Sequence, residues 1–205
     1  SFYQSRCVAP PDASGDGERE LIMTSLFKNI LRASVIVPAI AVWVPAFAAD
    51  TWQVKADDSD IKFSGTQLGA DFEGAFDKFT AEIVFSPDDL AGSKVSVLID
   101  IASVDTENAD RDSQIISADW FDVAQWPTAR FETKSFREIG PGQYEAVADL
   151  TIRDVTKEVV LPFNLEIEGN EADAEGTLVI KRTDFGVGQG QWSDTSQVGD
   201  EVTIR

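Results

Sequence analysis

The stretch Val159-Val160-Leu161-Pro162-Phe163-Asn164-Leu165-Glu166-Ile167 decides the fold class. Val159, Leu161, Phe163, Leu165 and Ile167 fall on one phase of a two-residue repeat, and Glu158, Glu166 and Glu168 on the other. Successive side chains of a strand point to opposite faces, so this is a strand with one apolar and one charged face. Working outward, Tyr144, Ala146, Ala148, Leu150 and Ile152 alternate in the same way, and Asp154 sits where these two strands meet. Val95, Val97, Ile99 and Ile101 alternate cleanly. Ile61 and Phe63 share one phase, and Phe72, Gly74 and Phe76 another. Phe79, Ala81, Ile83 and Phe85 then continue with the parity shifted by one. One extra residue near Asp77-Lys78 restores the facing, which predicts a β-bulge there. Leu178 and Ile180 start a last long strand, and Asp200 to Arg205 start another. Tight-turn sequences separate the runs at Ser86-Pro87-Asp88-Asp89, Gly140-Pro141-Gly142 and Gly169-Asn170.

One segment breaks the period. Asn108 to Asp119 carries Asp110 and Asp112 early, then Ile115 and Ile116, and leads into Trp120 and Phe121. Thr106 or Asn108 can cap it, and early acids suit a helix N-terminus. The reading is a short helix near residues 108–119 ending in an aromatic plug, which covers an open end of the sheet or acts as a lid. The fold class is therefore all-β: a closed or nearly closed antiparallel barrel of about eight strands with one short helix. A lipid-spanning barrel wants an apolar exterior with aromatic girdles. The charge on these strands argues instead for an apolar interior.

Composition removes several chemistries. Among 205 residues there is no His, one Cys (Cys7) and one Met (Met23). No imidazole base, His-dependent nucleophile system or His metal ligand can be built. The 17 Lys and Arg against 36 Asp and Glu give a charge of −19, which repels phosphate backbones and excludes a nucleic-acid partner. Oxygen-only Ca²⁺ or Mg²⁺ sites remain open.

Residues 23–48 read as a secretory signal peptide. Lys28 and Arg32 supply the basic region, residues 33–48 carry no charge, and Ala46-Phe47-Ala48 fits a cleavage site. The apolar run is shorter than the ~20 residues a spanning helix needs, and Pro38 and Pro45 interrupt it. A retained N-terminal anchor is the alternative. Residues 1–22 are polar and aperiodic, and read as upstream, non-native or disordered sequence. The mature domain is then 49–205, exported and located in the periplasm of a bacterium. It has no Cys, so its core must hold it without disulfides.

A barrel of about eight strands either fills itself with side chains or holds one small ligand. Aromatic residues are abundant on the inward phases, and serve as plain core or as the lining of an apolar tunnel. A chain-like lipid burying ~400 Å² of apolar surface gains on the order of 10 kcal/mol. Association costs of several kcal/mol come off that, which leaves micromolar retention or better.

Specific groups of residues then resemble the YceI family, the lipid-binding proteins of the bacterial periplasm. They are Asp60-Ile61-Lys62-Phe63-Ser64, Phe72-Glu73-Gly74-Ala75-Phe76, and Ile99-Asp100-Ile101-Ala102-Ser103-Val104-Asp105-Thr106. Arg111-Asp112, Ser117-Ala118-Asp119-Trp120-Phe121-Asp122 and Trp126-Pro127-Thr128-Ala129-Arg130-Phe131 follow. Leu150 to Lys157, Arg182-Thr183-Asp184-Phe185-Gly186 and Val198 to Val202 complete them. No single piece is specific; their order and spacing are, over about residues 50–205. The resemblance implies a lipocalin-like antiparallel β-barrel of about eight strands around one long amphiphile, a polyisoprenoid or an isoprenoid quinone, with no catalysis and no cofactor beyond that bound lipid. It also implies a membrane b-type cytochrome as a conceivable partner, and a closing strand that continues past Arg205. Family members often carry His near the first strand and the helix; here Asp57 to Asp60 and Gln114 stand there.

The expected ligand-lining residues are Phe63, Phe72, Phe76, Ile99, Leu150, Phe163 and Ile180, with Trp120 and Phe121 near one end. Arg182 shares the apolar phase of Leu178 and Ile180 with Asp184. It is either a head-group anchor or half of an Arg–Asp pair at the rim. Arg111 either anchors the helix or meets an anionic head group. The crowded acids Asp57, Asp58, Asp60, Asp88 and Asp89 serve turns and caps rather than a metal loop. Gly186 to Gly190 reads as a flexible hairpin or mouth loop. Rival functions are a ligand-free interaction or stress-response module serving a membrane partner, and a carboxylate-based hydrolase. Oligomeric state is left open, a dimer included.

Overall fold

The computed structural model describes residues 5–8 and 50–205. The expected signal peptide lies outside the described residues. Within the stretch expected to stand apart, Ser5–Val8 form a short strand, β1, between β2 (Asp50–Val54) and β11 (Glu171–Gly176). The pairing has a physical reason: two open strand edges offer a row of unpaired backbone groups that an added strand satisfies.

The remaining strands are β3 (Ile61–Gln67), β4 (Ala70–Phe76), β5 (Phe79–Phe85), β6 (Lys94–Asp100), β7 (Val104–Asp105), β8 (Thr128–Gly140), β9 (Gln143–Ile152), β10 (Val155–Glu168), β12 (Leu178–Lys181) and β13 (Glu201–Ile204). Eight close into an antiparallel barrel in the order β1-β11-β10-β9-β8-β6-β5-β2. The other five form a second antiparallel sheet, β12-β13-β3-β4-β7. The expected antiparallel barrel is thus present, with part of the chain in this second sheet.

The hairpins follow their turn chemistry. Gly142 sits at φ +68° between β8 and β9, Arg153 at +57° between β9 and β10, and Gly169 at +63° between β10 and β11. Along β9, Tyr144, Ala146, Ala148, Leu150 and Ile152 are all buried, which matches the alternation in the sequence.

The parity shift near Asp77-Lys78 has a different origin from the expected bulge. β4 belongs to the second sheet and β5 to the barrel, so the chain changes sheets there. The corner is fixed by hydrogen bonds from the Asp77 N–H to the Ser103 carbonyl (3.1 Å) and from the Lys78 N–H to Ser103 Oγ (3.0 Å). A change of sheet resets the facing just as a bulge does. The irregularities in the ladders lie instead in β8, between Thr133 and Ser135 and between Glu138 and Gly140. The expected last long strand is also shorter: β12 ends at Lys181, where residues Arg182–Phe185 turn into a single 3-10 turn.

The helix is α1 (Ala109–Ile115). Asn108, not Thr106, is its cap: its side chain accepts from the Arg111 N–H at 3.1 Å. Thr106 instead donates to Asp112, Oγ1 to Oδ1 at 2.6 Å, beside the helix. Ile115 is buried.

Candidate functional site

Two hollows occupy the interior, of about 380 and 310 Å³. Both sizes fall in the usual range for small-molecule sites, roughly 300–1,000 Å³. Ile61, Ile99, Leu150 and Ile204 line both, so the two chambers share a wall of aliphatic side chains.

The first chamber lies between α1, β3 and the loop after β12. Phe63, Phe72, Phe76, Trp120, Phe121 and Ile180 face it, as does Arg182. Gly74 makes room for this arrangement: a Cβ there would stand 2.5 Å from the Phe63 ring and 2.7 Å from Thr106 Cγ2. Phe63 then lies 5.2 Å from Phe76, and Phe76 lies edge-on to Phe121 at 6.4 Å. The helix supplies polar groups to this chamber, namely Asn108, Asp110, Arg111 and Gln114.

The second chamber is lined almost wholly by apolar side chains of the barrel, including Val97, Leu161, Phe163 and Leu165. At one end Phe85, Phe136, Tyr144 and Phe163 form an edge-to-face cluster with centroids 5.1–6.2 Å apart, and Tyr144 stacks on Phe163. Trp52 closes it, its indole N–H donating to the Phe85 carbonyl at 2.9 Å.

Every expected lining residue therefore borders a chamber: Phe163 the second, Ile99 and Leu150 both, and the rest the first. Sequence reasoning missed Ile61, Ile101, Ile115, Val187 and Trp192. Ile61 was legible, because it shares its phase with Phe63. Val187 and Trp192 were not, because they lie in an aperiodic loop.

Arg182 needs a correction. It does not pair with Asp184, whose carboxylate lies 3.4 Å from Lys157 Nζ. It is 3% exposed, and its five N–H groups reach the carbonyls of Gly199, Val187, Gly188, Trp192 and Val198 at 2.8–3.4 Å. A guanidinium has five donors, so all are engaged. Burial pushes its pKa down from the ordinary guanidinium value, and Asp200 opposes that shift. The Gly186–Gly190 segment is accordingly no hairpin but a loop wrapped on this side chain. Gly188 has φ +84°, and a Cβ there would stand 2.1 Å from Arg182 Nη1.

Arg111 does anchor the helix. It donates to Thr106 Oγ1 (2.9 Å), the Thr106 carbonyl (3.1 Å) and Gln67 Oε1 (3.2 Å), and lies 4.4 Å over the Phe72 ring. The crowded acids serve local structure: Asp89 accepts from the Gly92 N–H (2.9 Å), and Asp60 pairs with Lys62 (3.1 Å). Among the described residues no three metal-binding side chains come together.

The model of the YceI-like domain matches residues 52–205. This chain belongs to the YceI-like family. A UPF0312 protein of Ectopseudomonas mendocina is 35% identical over 170 residues, covering 79% of this chain and 88% of that one. The crystal structure of BcnA from Burkholderia cenocepacia superposes on this YceI-like chain with a TM-score of 0.72 at 34% identity, over 74% of this chain and 96% of BcnA. A polyisoprenoid binding domain from Saccharophagus degradans, implicated in plant cell wall breakdown, shares the fold at 14% identity. Its TM-score is 0.55, over 71% of this chain and 88% of that domain.

Proposed function

We propose that this protein binds and carries a long-chain amphiphile, a polyisoprenoid or an isoprenoid quinone, inside its barrel, and performs no catalysis. The observation that carries this reading is the pair of adjoining chambers with a common aliphatic wall. A chain-like guest uses such a hollow along its length, and its burial supplies the binding energy without a charged contact. Family membership supports the reading, and so does the shared fold with a domain described as polyisoprenoid-binding. The export signal expected from the sequence supports a periplasmic location for such a carrier.

The carboxylate-hydrolase alternative needs an acid with a raised pKa beside the substrate. Asp194 and Asp200 are shifted the other way. The N–H and side chain of Ser196 hold Asp194 low; burial pushes Asp200 up, and hydrogen bonds from Thr183 together with the charges of Arg182 and Lys181 outweigh it. Neither lines a chamber.

Native mass spectrometry after mild purification tests the proposal. A copurifying lipid of defined mass is the expected result. No adduct, together with no displacement of an apolar fluorophore, leaves an interaction module and sinks the carrier.

A further inference from the structure

Three arginines border the two chambers, and two of them are fully engaged by the protein. Arg182 gives all five N–H groups to backbone carbonyls. Arg205 borders the second chamber, and its Nη1 lies 3.5 Å from Glu73 Oε1. Arg111 differs. Its N–H groups reach Thr106 Oγ1, the Thr106 carbonyl and Gln67 Oε1, which are all neutral acceptors. A guanidinium has five donors, so one N–H on Nη1 and one on Nη2 remain. Among the described residues no carboxylate pairs with it, in a chain with 36 Asp and Glu. It is half-buried and borders the first chamber, 4.4 Å over the ring of Phe72, which lines the same chamber. A cation held against apolar surface gains most from a counter-charge, because water screens it little there.

Gln67 adds to the same spot. It comes from the end of β3, whereas Arg111 comes from α1, and the two meet at the polar end of the chamber. Its Oε1 accepts from Arg111, which fixes the direction of the amide, and its Nε2 has no acceptor among the described residues. Gln114, by contrast, has its Nε2 taken by Ser117 Oγ at 3.0 Å. Asp110 is the only acid bordering this chamber among the described residues, and it is exposed, so solvent and salt damp its charge.

We propose that Arg111, with Gln67 beside it, holds an acidic oxygen head of the bound lipid, a carboxylate or a phosphate, in the first chamber. This rests on the lipid-binding reading and deepens it. The tail supplies retention, and the head sets orientation. The tail then passes the shared wall at Ile99 and Leu150 into the second chamber, whose one arginine is already paired. A neutral quinone head leaves Arg111 without a counter-charge, so an isoprenoid acid fits this chamber better. Three donors of Arg111 hold the helix and two hold the guest.

The test uses the delipidated full chain and three probes with one isoprenoid tail: geranylgeraniol, geranylgeranoic acid and geranylgeranyl monophosphate. Binding is measured by calorimetry at neutral pH for the wild type, Arg111→Gln and Asp110→Asn. The wild type is expected to bind at least one acid about tenfold more tightly than the alcohol. Arg111→Gln removes that advantage and leaves the alcohol within about twofold. Asp110→Asn takes away the like charge beside the site and none of the contacts of Arg111. It tightens the same acid about twofold and leaves the alcohol unchanged. The acid with the larger advantage tells carboxylate from phosphate, and equal advantages support the chemistry they share. No advantage over the alcohol overturns the proposal and leaves the carrier reading standing. A loss shared equally by all three probes in Arg111→Gln reduces Arg111 to a strut of the helix and overturns it too. Where that variant fails to fold, Asp110→Asn decides, and an unchanged ratio of acid to alcohol affinity defeats the idea. A wild type that binds none of the three overturns the carrier reading itself.

Discussion

The two chambers are close in volume and unlike in chemistry. The second is walled by barrel strands whose alternation places one apolar residue after another, and an aromatic cluster closes one end. The first is bounded by the helix and a glycine-rich loop, and carries two arginines and the helix's polar side chains. The contrast teaches that regular strands build a uniformly apolar chamber. The irregular segments bring the polar side chains to the other.

The largest effect comes from removing the side chain that holds the first chamber's loop. Arg182→Gln leaves several of the five carbonyls without a donor. It is expected to lower stability by about 3 kcal/mol or more, read as a drop in urea midpoint. An unchanged midpoint removes the argument that this chamber rests on Arg182. Next, Gly188→Ala is expected to lower stability by about 1–3 kcal/mol, because φ +84° disfavours any side chain and the new methyl meets Arg182. It should leave the aromatic near-ultraviolet signature of the second chamber largely in place.

Ile99→Trp tests whether the chambers communicate. The bulky ring fills the shared wall, so affinity for a long isoprenoid falls about tenfold while a short one is nearly unaffected. Equal losses for both lengths break the idea of one guest spanning two rooms.

The smallest effect is a response to acid. Asp200 Oδ1 accepts from the Thr183 N–H (3.1 Å) and Oγ1 (2.7 Å), and its folded pKa is lowered despite burial. The carboxylate therefore adds stability above its unfolded pKa of about 3.9, and that increment is lost as pH falls through the lower folded value. Asp200→Asn should flatten the stability profile of the protein below about pH 4. An identical profile for variant and parent contradicts the assignment.

The same division sets how much was legible in the sequence. β9 reads directly, because Ala146 and Ala148 are small enough to be enclosed by their neighbours, so phase and burial coincide. β10 gives its phase correctly, yet Leu161, Phe163 and Leu165 stay only half-buried and Ile167 is 38% exposed. Alternation tells which way a side chain faces, and not whether the space it faces is filled. The chamber-lining residues on strands followed from phase alone. Arg182 did not: its partners are backbone carbonyls of a loop, and carbonyls leave no mark in a sequence. The nearest signal was a charge on an inward phase followed by Gly186, Gly188 and Gly190, two features whose connection is three-dimensional. The sheet change at Asp77-Lys78 was visible as a shifted parity, but local pattern cannot separate a bulge from a corner.

Closure of the barrel rests on β1, four residues laid between β2 and β11 and paired to both. With that stave seated, the ladder runs unbroken round the barrel. Cleavage of the expected export signal before Ala49 would take it away, and the wall would then part along its length between β2 and β11.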